Sequence, residues 1–296
     1  MKNRYANLAH LSSLDPPHDY REIYRTTLLH EFPWDLKLGL NLAFNRSFSI
    51  PSIAAVLAGT GELTQRTQKR IDDTGILMYE LILNGFDQPA GRAALRRINQ
   101  IHRPHDFPND EYLYILTCLM VIPLRWVDRY GWRRPCCHER RASHIFYREL
   151  GRRMNIAAIP GSYEEAEEWL DGYDAEHLTP NEPAARIEQA TRMLLLRRLP
   201  KPLAAIGDAL VASMYDDRLR EAMRVARPPW LIRAGLHIGL KTRARLLRWF
   251  AGPRTVPLFA DGIKTTTYPH GYDISLLGPA TKPAAQAPDG RSAAGD

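Results

Sequence analysis

The sequence predicts an all-α protein, and three features of the 296-residue chain lead there. Apolar residues recur at three- and four-residue spacing through most of its length, as in Ile71, Gly75, Met78 and Ile82, which is the period of one helical face. Proline and glycine cut that pattern into segments of helical length. No stretch alternates with a period of two, and no Asn-Gly or Asp-Gly pair joins two strand-like runs.

Taken in order, residues 1–15 read as an N-terminal extension without the apolar core of a signal peptide. DPPHDYREIYRTTLLHEFPWD opens with a turn. Its helix is expected from near Asp19 to just before Pro33, because proline cannot continue an established helix. Helices follow over 34–47, 50–58, 66–84 and 90–102, the last stopped by Pro104. FPND (107–110) reads as a turn whose Asn109 or Asp110 caps the next helix by accepting from its free N–H groups. That helix spans 110–122, and Pro123 divides it from another over 123–130. Further helices are expected over 138–154, 162–175, 181–198, 202–225 and 229–250. TVPLFADGIKTTTYPHGYDISLLG is irregular and suits a C-terminal strap across the bundle. The Pro-, Ala- and Gly-rich residues 279–296 can bury too little surface to offset ordering, so a disordered tail is expected after a helical domain over 16–278.

Composition narrows the functions. Hydrophobic content of 45% and charged content of 25% are those of a globular protein with a sizeable core. The net charge of +7 suits an anionic partner, whether a carboxylate-bearing cofactor, an acidic lipid surface or nucleic acid. The arginines are scattered in pairs without a nucleic-acid-binding motif, so no nucleic-acid partner is expected. Three cysteines, Cys118, Cys136 and Cys137, make no disulfide framework and point to a reducing compartment, with a cytoplasmic location the expectation. The longest apolar run, YLYILTCLMVIPL (112–124), is shorter than the roughly 20 residues that cross a bilayer. WLIRAGLHIGLKTRARLLRWF is basic and amphipathic. It could lie on a membrane surface as a peripheral contact, but a core-packed helix with a cationic outer face is the expectation.

Two constellations carry chemistry. Leu95, Ile98 and His102 stand at i, i+3 and i+7, so the imidazole shares a face with two aliphatic side chains. Such a ring needs a partner: a backbone carbonyl or an acid on one reading, a metal or heme iron on the other. Arg70 and Thr74, four residues apart, project from one helical face beside an apolar stripe. Arg70 either snorkels outward or, with the hydroxyl, binds an acidic group or a polar diatomic ligand in a closed pocket. Asp72 and Asp73 point elsewhere, as first-turn acids or salt-bridge partners. CCHERRASH lacks the separated ligand pairs of a zinc site. No G-x-S-x-G, H-E-x-x-H, P-loop or dinucleotide fingerprint is present.

The ordered set FPWD (32–35), QKRIDDT (68–74), RRINQIH (96–102), FPNDEYLY (107–114), PLRWVDRYGWR (123–133) and GRRM (151–154) resembles the oxygenase family of the MpaB-type proteins and the latex-clearing rubber oxygenases, over roughly residues 15 to 280. FPWD, QKRxDDT and FPND-x-x-LY are closest to the MpaB-type branch. The resemblance implies an α-helical domain with a globin-like core that holds heme b, its iron ligated by a histidine. It implies the use of O2 to oxidise or cleave a carbon–carbon double bond in a small apolar, isoprenoid-like substrate. In the rubber oxygenases an arginine and a threonine four residues apart precede the proximal histidine and help form the heme pocket. Arg70, Thr74 and His102 match that order, which implies His102 as the iron ligand. Two departures stand out: the lysine that precedes the threonine there is Asp73 here, and the upstream glutamate has only Glu62, differently spaced, as its nearest counterpart and candidate base. The chain begins without the N-terminal anchor of the fungal members, so a soluble form is expected. The rival expectations are a heme or isoprenoid carrier without turnover and a purely structural helical protein.

Overall fold

The computed structural model describes residues 4–197 and 199–279, and every regular element among them is helical. In chain order these are α1 (Ala6–Ser13), α2 (Pro16–Thr26) continued by a π turn (Thr27–Glu31), α3 (Pro33–Ser47), α4 (Pro51–Thr60), α5 (Glu62–Gln65), α6 (Thr67–Asn84) and α7 (Pro89–His102). Then come α8 (Asn109–Tyr130), α9 (Cys137–Arg153), α10 (Tyr163–His177), α11 (Glu182–Leu196), α12 (Lys201–Ala212), α13 (Asp217–Ala222) and α14 (Trp230–Phe250), with a short 3-10 turn at Ile274–Leu276. The all-α expectation holds. The tail expected over 279–296 lies, apart from Pro279, outside the described residues.

The centre of the bundle is the crossing of α3 and α8. A Cβ on Gly39 would stand 2.5 Å from the Cα of Pro123, so only glycine lets the two backbones approach this closely. The same contact explains why Pro123 does not divide α8 as expected. The helix runs through it from Asn109 to Tyr130 with the proline buried against α3, so packing offsets the lost backbone hydrogen bond.

Other boundaries moved for local reasons. α2 starts at Pro16 rather than near Asp19, since prolines in a first turn forgo only N–H groups that have no helical partner. The helix expected over 202–225 breaks after Ala212. Tyr215 turns inward to accept from Asn45 Nδ2 at 3.2 Å, and Asp216 caps α13 by accepting from Leu219 N–H at 2.9 Å. FPND makes the expected turn but not the expected cap. Asn109 bonds the Ala157 backbone instead (N–H to Oδ1 2.7 Å, Nδ2 to C=O 3.1 Å), and Asp110 accepts from Tyr173. Residues 1–15 contribute α1, which packs back on the bundle through the fully buried Leu11.

The irregular 251–279 segment is the strap that was expected, and it is fastened to α6 and α7. Asp72 accepts from Thr267 N–H (2.9 Å) and Oγ1 (2.6 Å), and Tyr272 donates to Glu80. Asp73, completely buried, accepts from Lys69 (2.6 Å), the Tyr268 hydroxyl (2.7 Å) and the Gly278 N–H (2.9 Å). Arg97 of α7 holds the Leu277 carbonyl at 2.6 Å. Asp73→Ala removes three acceptor bonds at once and should cost about 2–4 kcal/mol, concentrated in the strap. Proteolysis within 260–279 and hydrogen exchange at the Gly278 amide should accelerate well before global unfolding. Unchanged exchange there would refute the fastening role.

One expectation fails. α14 is not packed into the core behind a cationic outer face. Only Leu240 and Ala244 along it are buried, and the surface it presents outward is largely apolar.

Candidate functional site

An apolar cavity of ≈ 150 Å³ lies between α4, α6, α7, α8 and the end of α9, with a mouth open to solvent. As it stands, it has room for a small apolar guest, and a larger one requires its mouth or walls to open. Its walls are mostly aliphatic, with Leu77 and Met78 from α6, Ile98 and Ile101 from α7, and Leu116 and Leu119 from α8. Pro279 at the end of the strap closes part of the rim. The polar groups that reach it are few, and Arg70, Thr74, His102 and Glu62 are among them.

His102 ends α7 because the chain turns out at Arg103–Pro104, and Asn99 pins the preceding turn by donating to the Arg153 carbonyl at 3.1 Å. Its Nδ1 lies 2.8 Å from the Ile98 carbonyl. A carbonyl can only accept, so the proton sits on Nδ1 and Nε2 carries a free lone pair, the tautomer a metal-ligating histidine requires. Burial, with the nearby Arg70 guanidinium adding to it, lowers the pKa to about 4. The ring nevertheless keeps some accessible surface, because the space it faces is the cavity it lines.

Neutrality is therefore the folded state of this imidazole at physiological pH, and it sets a direction for pH dependence. The unfolded histidine binds its proton near pH 6.5 and the folded one only near 4, so between these values the unfolded chain holds more protons. Apo-protein stability should fall as pH drops from about 6.5 towards 4, and His102→Gln should flatten that limb. Thermal melts across this range provide the check; an equally steep limb in the variant would contradict the assignment.

Arg70 is enclosed, which lowers its pKa, and among the described residues it forms no ion pair. Its guanidinium bonds the Thr74 hydroxyl, and that hydroxyl donates back to the Arg70 carbonyl at 2.9 Å. The threonine thus holds the arginine in one orientation rather than neutralising it. Asp73 and Glu62 act on this cation from a distance but offset its burial only in part, so an anionic or strongly dipolar guest would satisfy it further. Of the two readings left open for Arg70, its place on the cavity wall favours the pocket one.

Glu62, at the N-terminus of α5, also lines the cavity and is buried, but it is paired with Arg66. Asp72 and Asp73 serve the strap, not the cavity. The sequence sets His105 aside, past the helix end after Pro104, and gives no signal for Phe107 and Tyr112; all three line the same space. The Tyr112 hydroxyl donates to the carbonyls of His102 (3.3 Å) and His105 (3.0 Å), closing the 102–112 turn. The spacing of His105 from His102 rules out a helical pair, and only the turn geometry brings it in.

No group of three or more His, Cys, Asp or Glu among the described residues could hold a bare metal ion. In CCHERRASH, Cys136 and Glu139 form a capping box and His138 bonds the Leu11 carbonyl. One free Nε2 facing an apolar cavity suits instead a metal that brings its own equatorial donors. The donor set, the apolar lining and the arginine on the wall fit a porphyrin, whereas the space is smaller than one and would have to open to admit it.

The family model described as "ER-bound oxygenase mpaB/B'/Rubber oxygenase, catalytic domain" matches residues 38–251, which carry every cavity helix. The chain belongs to this family. Among curated relatives of this MpaB/rubber oxygenase family, it is 27% identical over 251 residues to the ER-bound oxygenase mpaB' of Penicillium brevicompactum, covering 79% of this chain and 59% of that protein. It is 26% identical over 220 residues to the ER-bound oxygenase mpaB of Penicillium roqueforti strain FM164, covering 68% and 74%. The mpaB of P. brevicompactum is 26% identical over 219 residues, covering 67% and 55%. The chain thus spans little more than half the length of the two P. brevicompactum family members. No helix among its described residues is long and apolar enough to cross a membrane.

Proposed function

We propose that this protein is a heme b-dependent oxygenase acting with O2 on a small, apolar, unsaturated substrate of isoprenoid type. The observation that carries the reading is the imidazole of His102: its Nδ1–H is committed to the Ile98 carbonyl, and its Nε2 is left free on the wall of an apolar cavity. The names of the relatives, all oxygenases, support the reaction class.

In this reading His102 holds the iron through Nε2, and the Ile98 carbonyl fixes the plane of the ring and raises its donor strength. When bound, the heme supplies activation of O2, which no side chain here can provide. The aliphatic walls bind the substrate chain and exclude water, which keeps the local dielectric low and strengthens every polar contact inside. Arg70, held by Thr74, places on the cavity wall a positive charge that no carboxylate contacts directly, suited to a cofactor carboxylate or to oxygen where negative charge develops. Glu62 is the only acid on the wall among the described residues, and it can receive or return a proton once Arg66 swings away.

The decisive experiment is reconstitution with hemin, followed by aerobic incubation with a set of linear isoprenoids. Oxygen uptake matched by carbonyl products is the expected result. Stoichiometric isoprenoid binding without oxygen uptake would establish a carrier, and no Soret absorption after hemin addition would end the heme reading.

A further inference from the structure

The outer face of α14 is the largest unpartnered apolar feature among the described residues, and its anchoring shows which face is meant to be free. The inner face is fixed at several points. Leu240 and Ala244 are buried, and Arg243 reaches the buried Asp35 at 3.0 Å while its guanidinium lies 4.1 Å over the Trp34 ring. Lys241 donates to the Arg129 carbonyl. The helix therefore cannot roll to hide its other side.

That other side carries Leu231, Ile238, Leu246 and Trp249, spaced by seven, eight and three residues, which keeps them on one stripe. Ile238 and Leu231 are each 64% exposed, Trp249 is 72% exposed, and the terminal Trp230 and Phe250 are 72% and 82% exposed. The neighbouring α12 adds Leu203 and Ile206, both about half exposed. Aromatic residues at the two ends, aliphatics between them and cations along the flank form the pattern of a helix lying in a lipid interface.

Charge selects the occupant. Residues 230–250 contain five Arg or Lys and no Asp or Glu. Arg233, Arg245 and Arg248 take part in no ion pair among the described residues. A second copy of the chain would bring an equally cationic stripe against this one and be repelled. An anionic surface would be attracted, by about 1 kcal/mol for each cation held near it, and a bilayer also takes up the apolar side chains. From the exposed stripe, its flanking cations and the fixed inner face, we propose that α14 is a membrane-docking helix that seats the protein on anionic lipid bilayers without spanning them.

The test is co-sedimentation of the full chain with phosphatidylcholine vesicles, with and without phosphatidylserine. Binding should require phosphatidylserine and weaken as salt rises. Two double variants, Leu231→Ser/Ile238→Ser and Trp249→Ser/Phe250→Ser, change only exposed side chains, so their thermal melts should match the parent. Each should lower vesicle partitioning at least roughly tenfold, because each removes apolar area from the lipid contact. Loss in the aromatic variant alone would indicate stacking on a flat ligand such as a nucleobase and overturn the proposal. Parent and variants binding equally, or none binding, would overturn it as well. So would a dimer in the parent that the variants lose while vesicles are ignored. None of these readouts depends on heme.

Discussion

His102→Ala is expected to lower heme affinity at least 100-fold, beyond the roughly 10–100-fold that losing an outer hydrogen-bond partner of a metal ligand costs. The cavity offers few substitutes. Met78 and Met154 present weak thioether donors, Thr60 and Thr74 only hydroxyls, and Arg70 is cationic. His105 is the one other imidazole on the wall. It lies beyond the helix, without the carbonyl bond that gives His102 its tautomer. His105→Ala should therefore keep the parent's heme content, whereas His102→Ala should not. His102→Gly opens a space the size of the missing ring, and millimolar imidazole should restore the spectrum. A His102→Ala protein with the parent's Soret band and heme stoichiometry would remove the iron from this residue. The prediction separates ligation from folding, because the alanine variant deletes a ring that lines the cavity and, beyond its bond to the Ile98 carbonyl, leaves the packed side chains of Ile98 and Ala94 in α7 in place.

What the sequence could and could not reveal about this site follows from the range of the interactions. The register of α7 was readable, since i, i+3 and i+7 spacing alone places His102 with Leu95 and Ile98. The tautomer was not, because it depends on the Ile98 carbonyl being left free at a helix end. Arg70 and Thr74 could be placed on one face, yet whether the guanidinium turned in or out depended on where the other helices left the cavity. The motifs that marked the family prove to be mostly scaffold. The aspartate of FPWD anchors α14, the two aspartates of QKRIDDT fasten the strap, and the arginine ending PLRWVDRYGWR neutralises two buried acids. All of these are contacts between residues some distance apart in the chain, for which local pattern offers no signal. The same holds for α14. Its sequence is amphipathic in either setting, and the outcome turned on Asp35 and Trp34, some 200 positions earlier, taking up Arg243 and leaving the apolar stripe outside.

The largest expected stability loss is at Arg133. Its guanidinium sits between Glu31 and Glu139, whose side chains have no solvent exposure. Nε and Nη2 reach Glu31 at 3.0 and 2.6 Å, and Nη1 and Nη2 reach Glu139 at 2.6 and 2.9 Å. Burial alone would lower the arginine's pKa, but the two carboxylates more than reverse that and hold its charge firmly. The acids have partners of their own: Asn7 donates to Glu31 at 3.0 Å, and the Cys136 N–H donates to Glu139 at 2.7 Å. This network joins α1, the π turn and the start of α9, far from the cavity. Arg133→Met keeps most of the volume over the Phe32 and Trp132 rings but leaves two anions facing each other in a dry site. Stranding a buried charge costs about 3–5 kcal/mol, which for a chain of this size lowers Tm by roughly 10 °C. Combining Arg133→Met with Glu31→Gln and Glu139→Gln removes all three charges and should recover most of that loss, as neutralised buried ion networks commonly do. Calorimetry on the parent, the single variant and the triple variant checks the order. A single variant within about 1 kcal/mol of the parent, or a triple variant worse than the single one, would show that water reaches the acids and that the triad is not the dry joint its geometry implies.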